Sequence, residues 1–171
     1  MGFEWDEQKR KKKSVSIDRL WRKEKLMSPF GERMRRSKVM RVIMLTGGNS
    51  CGKTTTLNMV YQMLLSNQGI STKRQPLGGN PNDFSDIVLF HQQRIAFFTM
   101  GDYSGDVVNA MIDYSNQEVA VLVCACNNRF VRPFTKIQNY SHTIIPKTLA
   151  SENITEQTAN TADVNQIFSL I

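Results

Sequence analysis

Gly47-Gly48-Asn49-Ser50-Cys51-Gly52-Lys53-Thr54 sets a glycine, four intervening residues, a second fixed glycine, a lysine and a hydroxyl in one unbroken run. Each fixed position has a use around a chain of phosphates. A loop curled about an anion presents backbone N–H donors from several directions, and glycine permits the close approach and unusual dihedrals. Lys53 would neutralise the oxygens of the two outer phosphates, and Thr54 would offer its hydroxyl to Mg²⁺. A helix starting there would add its positive end at the same oxygens. The residues expected to hold a nucleoside triphosphate, ATP with Mg²⁺, are Gly47, Gly48, Asn49, Ser50, Cys51, Gly52, Lys53, Thr54 and Thr55.

Such a site calls for a carboxylate at the end of a neighbouring strand, to hold the metal through water. Asp102 follows the apolar run Arg94–Gly101 and is the expected partner of Thr54, the alternative being a simple turn residue. Asp106 reads as a helix N-cap that is also within range of a metal or substrate, and Asp86 as the start of a strand facing the other end of the sheet. Arg129 and Arg132 follow a later strand, where ligands of open α/β sheets bind. Two roles are open to them, charge stabilisation on a transferred phosphoryl group or pairing with surface carboxylates. Cys124 and Cys126, two residues apart, should point into the core from one sheet face. With Cys51 in the loop and two scattered histidines, no zinc-binding spacing is formed.

The elements needed to position these groups are legible on either side of the loop. Val39–Thr46 is a mainly apolar run of strand length, as a buried parallel strand requires. Thr54–Ser66 carries Leu57, Val60, Tyr61, Leu64 and Leu65 at helical spacing, with Gly69 suited to a left-handed C-cap. Ile70–Lys73 reads as a short strand, and Pro76–Asp83 as a loop. Asp86–His91 and Arg94–Met100 read as a hairpin turning at Gln92-Gln93. A helix over Asp106–Tyr114, a buried strand over Glu118–Cys126, a turn or short helix at Arg132-Pro133, a strand over His142–Ile145 and a C-terminal amphipathic helix complete the order.

Charge divides the 171 residues unevenly. Residues 1–41 hold 14 basic and 6 acidic side chains, a balance of +8, whereas residues 42–171 hold 8 and 9, a balance of −1. A uniformly basic nucleic-acid coat is thereby excluded. Expected instead are an N-terminal arm, residues 1–38, and a nucleotide-binding domain, residues 39–171. Within the arm, Ile17, Leu20, Trp21 and Glu24 suit a short amphipathic helix between two basic clusters. The arm is either a docking element for nucleic acid or a protein partner, or a solvated tail. Three cysteines and no apolar run long enough to span a bilayer fit a cytoplasmic protein without membrane association.

On Gly47–Thr54, with a strand before and a helix after, the chain resembles the P-loop NTPase superfamily. Over roughly residues 39–150 it is similar to small bacterial ATP-binding proteins of that superfamily. The shared features are the hairpin, the strand ending in Gly101-Asp102, the following helix, and the strand Val121–Cys126 with its basic loop. That loop, Asn127–Pro133, departs from the Thr-Arg-Thr type of such proteins. The resemblance implies an α/β three-layer sandwich with a mostly parallel sheet and an antiparallel edge hairpin. Cys126-Asn127-Asn128-Arg129 does not supply the Asn-Lys-x-Asp of GTPases, so ATP is the expected nucleotide. The extra early lysine of partitioning ATPases and the signature of ABC-type ATPases are absent as well. Two functions follow. One is Mg²⁺-dependent phosphoryl transfer or ATP hydrolysis of the small-kinase type, with Lys53, Asp102, Arg129 and Arg132 at work on a small-molecule acceptor. The other is a nucleotide-dependent switch that binds a partner or nucleic acid through residues 1–38.

Overall fold

Seven strands and four helices follow one another along residues 40–78 and 80–171, the residues described by the computed structural model. The expectations for residues 1–38, including the helix near Trp21, lie outside the described residues. The first half runs β1 (Arg41–Gly47), α1 (Lys53–Ser66), β2 (Ile70–Ser71), β3 (Gln75–Pro76), β4 (Phe84–Phe90) and β5 (Gln93–Phe98). The second runs α2 (Ser104–Asn116), β6 (Val121–Asn127), α3 (Arg132–Ile137), β7 (Ser141–Pro146) and α4 (Glu156–Ser169).

One mixed sheet takes all seven strands, in the order β2-β4-β5-β6-β1-β7, with β3 also paired to β4. β5, β6, β1 and β7 are mutually parallel, and β4 is antiparallel to β5. The protein is therefore α/β, as expected, with an antiparallel hairpin toward one edge. β1 is buried along its five central residues because parallel strands flank it on both sides and helices cover both of its faces. Its alternating side chains feed two cores. Ile43 and Leu45 pack with Leu57, Val60 and Leu64 of α1 and Val164 and Ile167 of α4. Val42 and Met44 pack with Val107 and Met111 of α2 and Ile137 of α3. Cys124 and Cys126 lie together in this second core, both fully buried.

Local turns differ from expectation in instructive ways. The hairpin turns at His91-Gln92, both with positive φ (45° and 63°), one residue earlier than Gln92-Gln93. That is the twist a two-residue hairpin needs, reached here without glycine or asparagine. At the end of α1 the left-handed residue is Gln68 (φ 71°), not Gly69. Gly69 is required for space instead: a Cβ there would sit 2.7 Å from the Leu64 carbonyl oxygen and 2.9 Å from Val88. Asp106 is not the N-cap of α2. Tyr103 occupies that position, and Asp106 stands inside the first turn, where its charge complements the helix dipole. Pro76 pairs with Phe84 in β3, so the loop after it is shorter than expected.

Register then decides what gathers at the carboxyl edge of the parallel strands. Gly47 of β1 lies beside Asn127 of β6, and the Asn127 N–H donates to the Gly101 carbonyl at 3.0 Å. Because β4 runs the opposite way, its beginning reaches this same edge: Phe84 and Thr99 are linked through backbone and side chain.

Candidate phosphate-binding site

The loop between β1 and α1 takes its shape from two glycine positions, Gly47 and Gly52, and from what packs on them. Gly52 has φ 89°, a left-handed conformation, and directly precedes the helix. A Cβ on Gly47 would meet Cys51 Sγ at 2.6 Å and Lys147 Cβ at 3.1 Å, so a larger residue there would force the Cys51 side chain to move. Gly48 has open space around it. Ser50, at φ 53°, carries strain that a glycine there would relieve.

Helix α4 and the end of β7 brace the loop from behind. Thr56 Oγ1 donates to Asn160 Oδ1 at 3.0 Å, with both residues buried. The Lys147 N–H donates to the Thr46 carbonyl at 2.7 Å, and the Lys147 ammonium meets Asp163 at 2.8 Å in a buried ion pair. From the other side, Asn127 Nδ2 donates to Asn49 Oδ1, and the Asn128 N–H to the Gly47 carbonyl. None of these four supports, Asn127, Lys147, Asn160 and Asp163, was singled out from the sequence. Each is polar and distant in the chain, and only the packing shows its use.

Lys53, only 6% exposed, folds across the loop. Its ammonium donates to the Gly48 carbonyl at 2.5 Å and the Gly47 carbonyl at 3.3 Å, and lies 3.8 Å from Cys51 Sγ. Among the described residues no carboxylate pairs with it. A cavity of about 290 Å³ opens in front, walled by Ser50 to Thr55, Asn80, Gly101, Asp102 and Glu156. The structure thus brings Asp102 to the same cavity as the loop. It does so through Gly101, where a Cβ would sit 2.9 Å from backbone atoms of Ala125 and Cys126. Glycine is what lets the chain leave β5 flat against β6.

The carboxylate that touches Thr54 is a different one. Thr54 Oγ1 donates to Asp83 Oδ1 at 2.8 Å, and Thr99 Oγ1 donates to the same oxygen at 3.2 Å. Asp83 is buried, at 4% exposure. From the sequence it is the end of the loop Pro76–Asp83. The expected hairpin, Asp86–His91 with Arg94–Met100, does not reach it; β4 starts instead at Phe84 and β5 ends at Phe98, which leaves Asp83 and Thr99 as the flanking residues that meet. Asp86, three residues on, accepts from Tyr61 Oη at 2.9 Å and Ser71 Oγ at 2.5 Å on the α1 face. Burial raises the Tyr61 phenol above its ordinary value, which keeps this bond protonated.

Arg129 and Arg132 are exposed and form no part of the cavity wall. The Arg129 N–H donates to Asn127 Oδ1, so that residue's visible role is through its backbone. Among the described residues no three His, Cys, Asp or Glu side chains converge on one point. Mg²⁺ does not need such a cage, since it retains several waters and takes one or two protein oxygens. Thr54 with Asp83 is a donor set of that kind. Among the described residues no helix is long and apolar enough to cross a membrane. No protein-family model matches the chain, and neither a curated protein nor a solved structure is similar enough to count as a match.

Proposed function

We propose that the chain binds ATP with Mg²⁺ at the β1–α1 loop and transfers its terminal phosphoryl group, as a P-loop protein of the small-kinase type. The observation that carries this is Lys53: a nearly buried ammonium at a helix start, held by two loop carbonyls and the Cys51 thiol and, among the described residues, by no carboxylate. Buried charges are ordinarily paired, and an anion entering the cavity would supply the pair. Loop N–H groups and the start of α1 add donors to the same oxygens.

The charges around the cavity favour a metal–nucleotide complex over a bare polyanion. Against Lys53 stand Asp102 and Glu156 in the wall and Asp83 behind Thr54. Thr54 and Asp83 would hold Mg²⁺, which when bound neutralises phosphate charge and orients the outer oxygens. In the transfer, the acceptor oxygen forms a bond to the terminal phosphorus while the bond to the bridging oxygen breaks. ADP leaves with that electron pair, and Asp102, facing the cavity, takes the acceptor's proton.

Isothermal titration tests this directly. ATP should bind in the presence of Mg²⁺, at least tenfold more weakly once the metal is chelated, and about a hundredfold more weakly in Lys53→Ala. Asp83→Asn should reduce Mg²⁺-dependent binding, whereas Asp102→Asn should reduce turnover with little change in binding. ATP that fails to bind the unmodified chain with Mg²⁺ present would sink the assignment.

A further inference from the structure

A second cavity, a cleft of about 410 Å³, runs along α2 beside the phosphate cavity. Leu77, Phe98 and Met100 give it an apolar floor, and Asp106, Asp113 and Tyr114 stand on its α2 side. Asp106 and Asp113 are seven residues apart, two helical turns, so both carboxylates line one face about 10 Å apart. Among the described residues no lysine, arginine or histidine contributes to the lining. Burial raises the Tyr114 phenol above its ordinary value, so that group offers a neutral hydroxyl.

The cleft and the phosphate cavity share a partition. Met100 lines the first and Gly101, the next residue, lines the second. Leu77 and Asn80, three residues apart in the loop before β4, divide in the same way. A molecule lying in the cleft can therefore present one end at Gly101-Asp102, beside the loop.

Resting on the ATP site proposed above, we propose that this cleft binds the phosphoryl acceptor and that the acceptor is a small organic cation. Its apolar body lies on Leu77, Phe98 and Met100. Its ammonium group is held by Asp106, with Asp113 two turns along adding negative charge to the same face, and its hydroxyl points to the Gly101-Asp102 edge. An anionic acceptor would face two carboxylates with no cation among the described residues of the lining to offset them. A polyol without an apolar body would leave the floor bare.

Three ligands on one body decide it: 2-amino-1-phenylethanol, 1-phenylethane-1,2-diol and mandelate, which are cationic, neutral and anionic. Titrated into the full chain, the amine should bind about tenfold more tightly than the diol, with mandelate weaker still. Asp106→Asn should narrow the gap between amine and diol by about tenfold, and Asp106→Lys should reverse the order in favour of mandelate. The amine should also raise the rate of ADP formation from ATP. Equal affinities for the three, or an order unmoved by both Asp106 variants, would overturn the cleft assignment. Amine binding without faster ADP formation, in a chain that binds ATP, would overturn the acceptor role. ATP and Mg²⁺ are titrated separately. If they fail to bind, the nucleotide site is at fault, and if they bind while the amine shows no preference, the cleft alone is.

Discussion

Lys53 and Lys147 are both nearly buried, at 6% and 7% exposure, and differ in what balances them. Lys147 has Asp163 at 2.8 Å and belongs to the scaffold, whereas Lys53 has only carbonyls and a thiol. The three cysteines divide in a similar way. Burial pushes the Cys124 thiol far up and raises Cys126 to about 11, the nearby Lys53 charge offsetting part of the second shift. Cys51 is partly exposed in the cavity wall. At pH 8 a thiol reagent should therefore label one cysteine per folded chain rapidly, Cys51, and all three only after unfolding. ATP with Mg²⁺ should slow that single reaction. The raised values also set the sign of the pH dependence. Folded Cys124 and Cys126 keep protons that the unfolded chain loses above about pH 9, so stability falls as pH rises from 9 towards 11. The double variant Cys124→Ala/Cys126→Ala should show a flatter alkaline fall in Tm, at a lower Tm throughout. An unchanged slope would mean that the thiols ionise in place.

At the level of elements, the site depends on strand direction and on glycine where two strands part. β4 runs against β5, which turns a residue at the start of a strand toward the phosphate loop. β5 leaves the sheet through Gly101, pressed on the backbone of β6. Gly101→Ala should cost about 1–3 kcal/mol, because backbone atoms at 2.9 Å cannot yield as a flexible side chain would. It should reduce turnover further by displacing Asp102. Gly105, in α2 with open space around it, provides the control. Gly105→Ala should be neutral or stabilising, by up to about 1 kcal/mol. Urea denaturation of the two variants beside the parent measures both effects, and equal losses would show that the clash at Gly101 is relieved without consequence.

Across the whole molecule, charge and chemistry occupy different parts of the chain. Residues 42–171 carry a balance of −1, so the proposed site would draw phosphate through backbone amides, a helix end and Lys53, not through a basic surface. The surplus of +8 belongs to residues 1–41. Any affinity for DNA or RNA should therefore reside in residues 1–38 and fall steeply with salt. Fluorescence anisotropy with a labelled oligonucleotide over a potassium chloride series should show binding by the full chain and none by residues 39–171. Binding that survives this deletion would place the interface on the folded domain.

What was legible in the sequence is what depends on near neighbours. The loop Gly47–Thr54 is a local code of eight residues, and its flanking strand and helix declare themselves through a buried run and a helical period. The hairpin, the parallel strands and the inward-facing Cys124 and Cys126 could be read for the same reason, since periodicity records which face a side chain takes. Asp102 could be placed beside the loop because a strand's end announces itself. Tertiary structure alone decided which carboxylate meets Thr54, which helix braces the loop, and which of two buried lysines keeps an unbalanced charge. Asp83, Asn160 and Asp163 act across 29, 104 and 16 residues of chain. Such pairings follow from strand direction and register, and a polar residue's own neighbours in sequence carry no record of either.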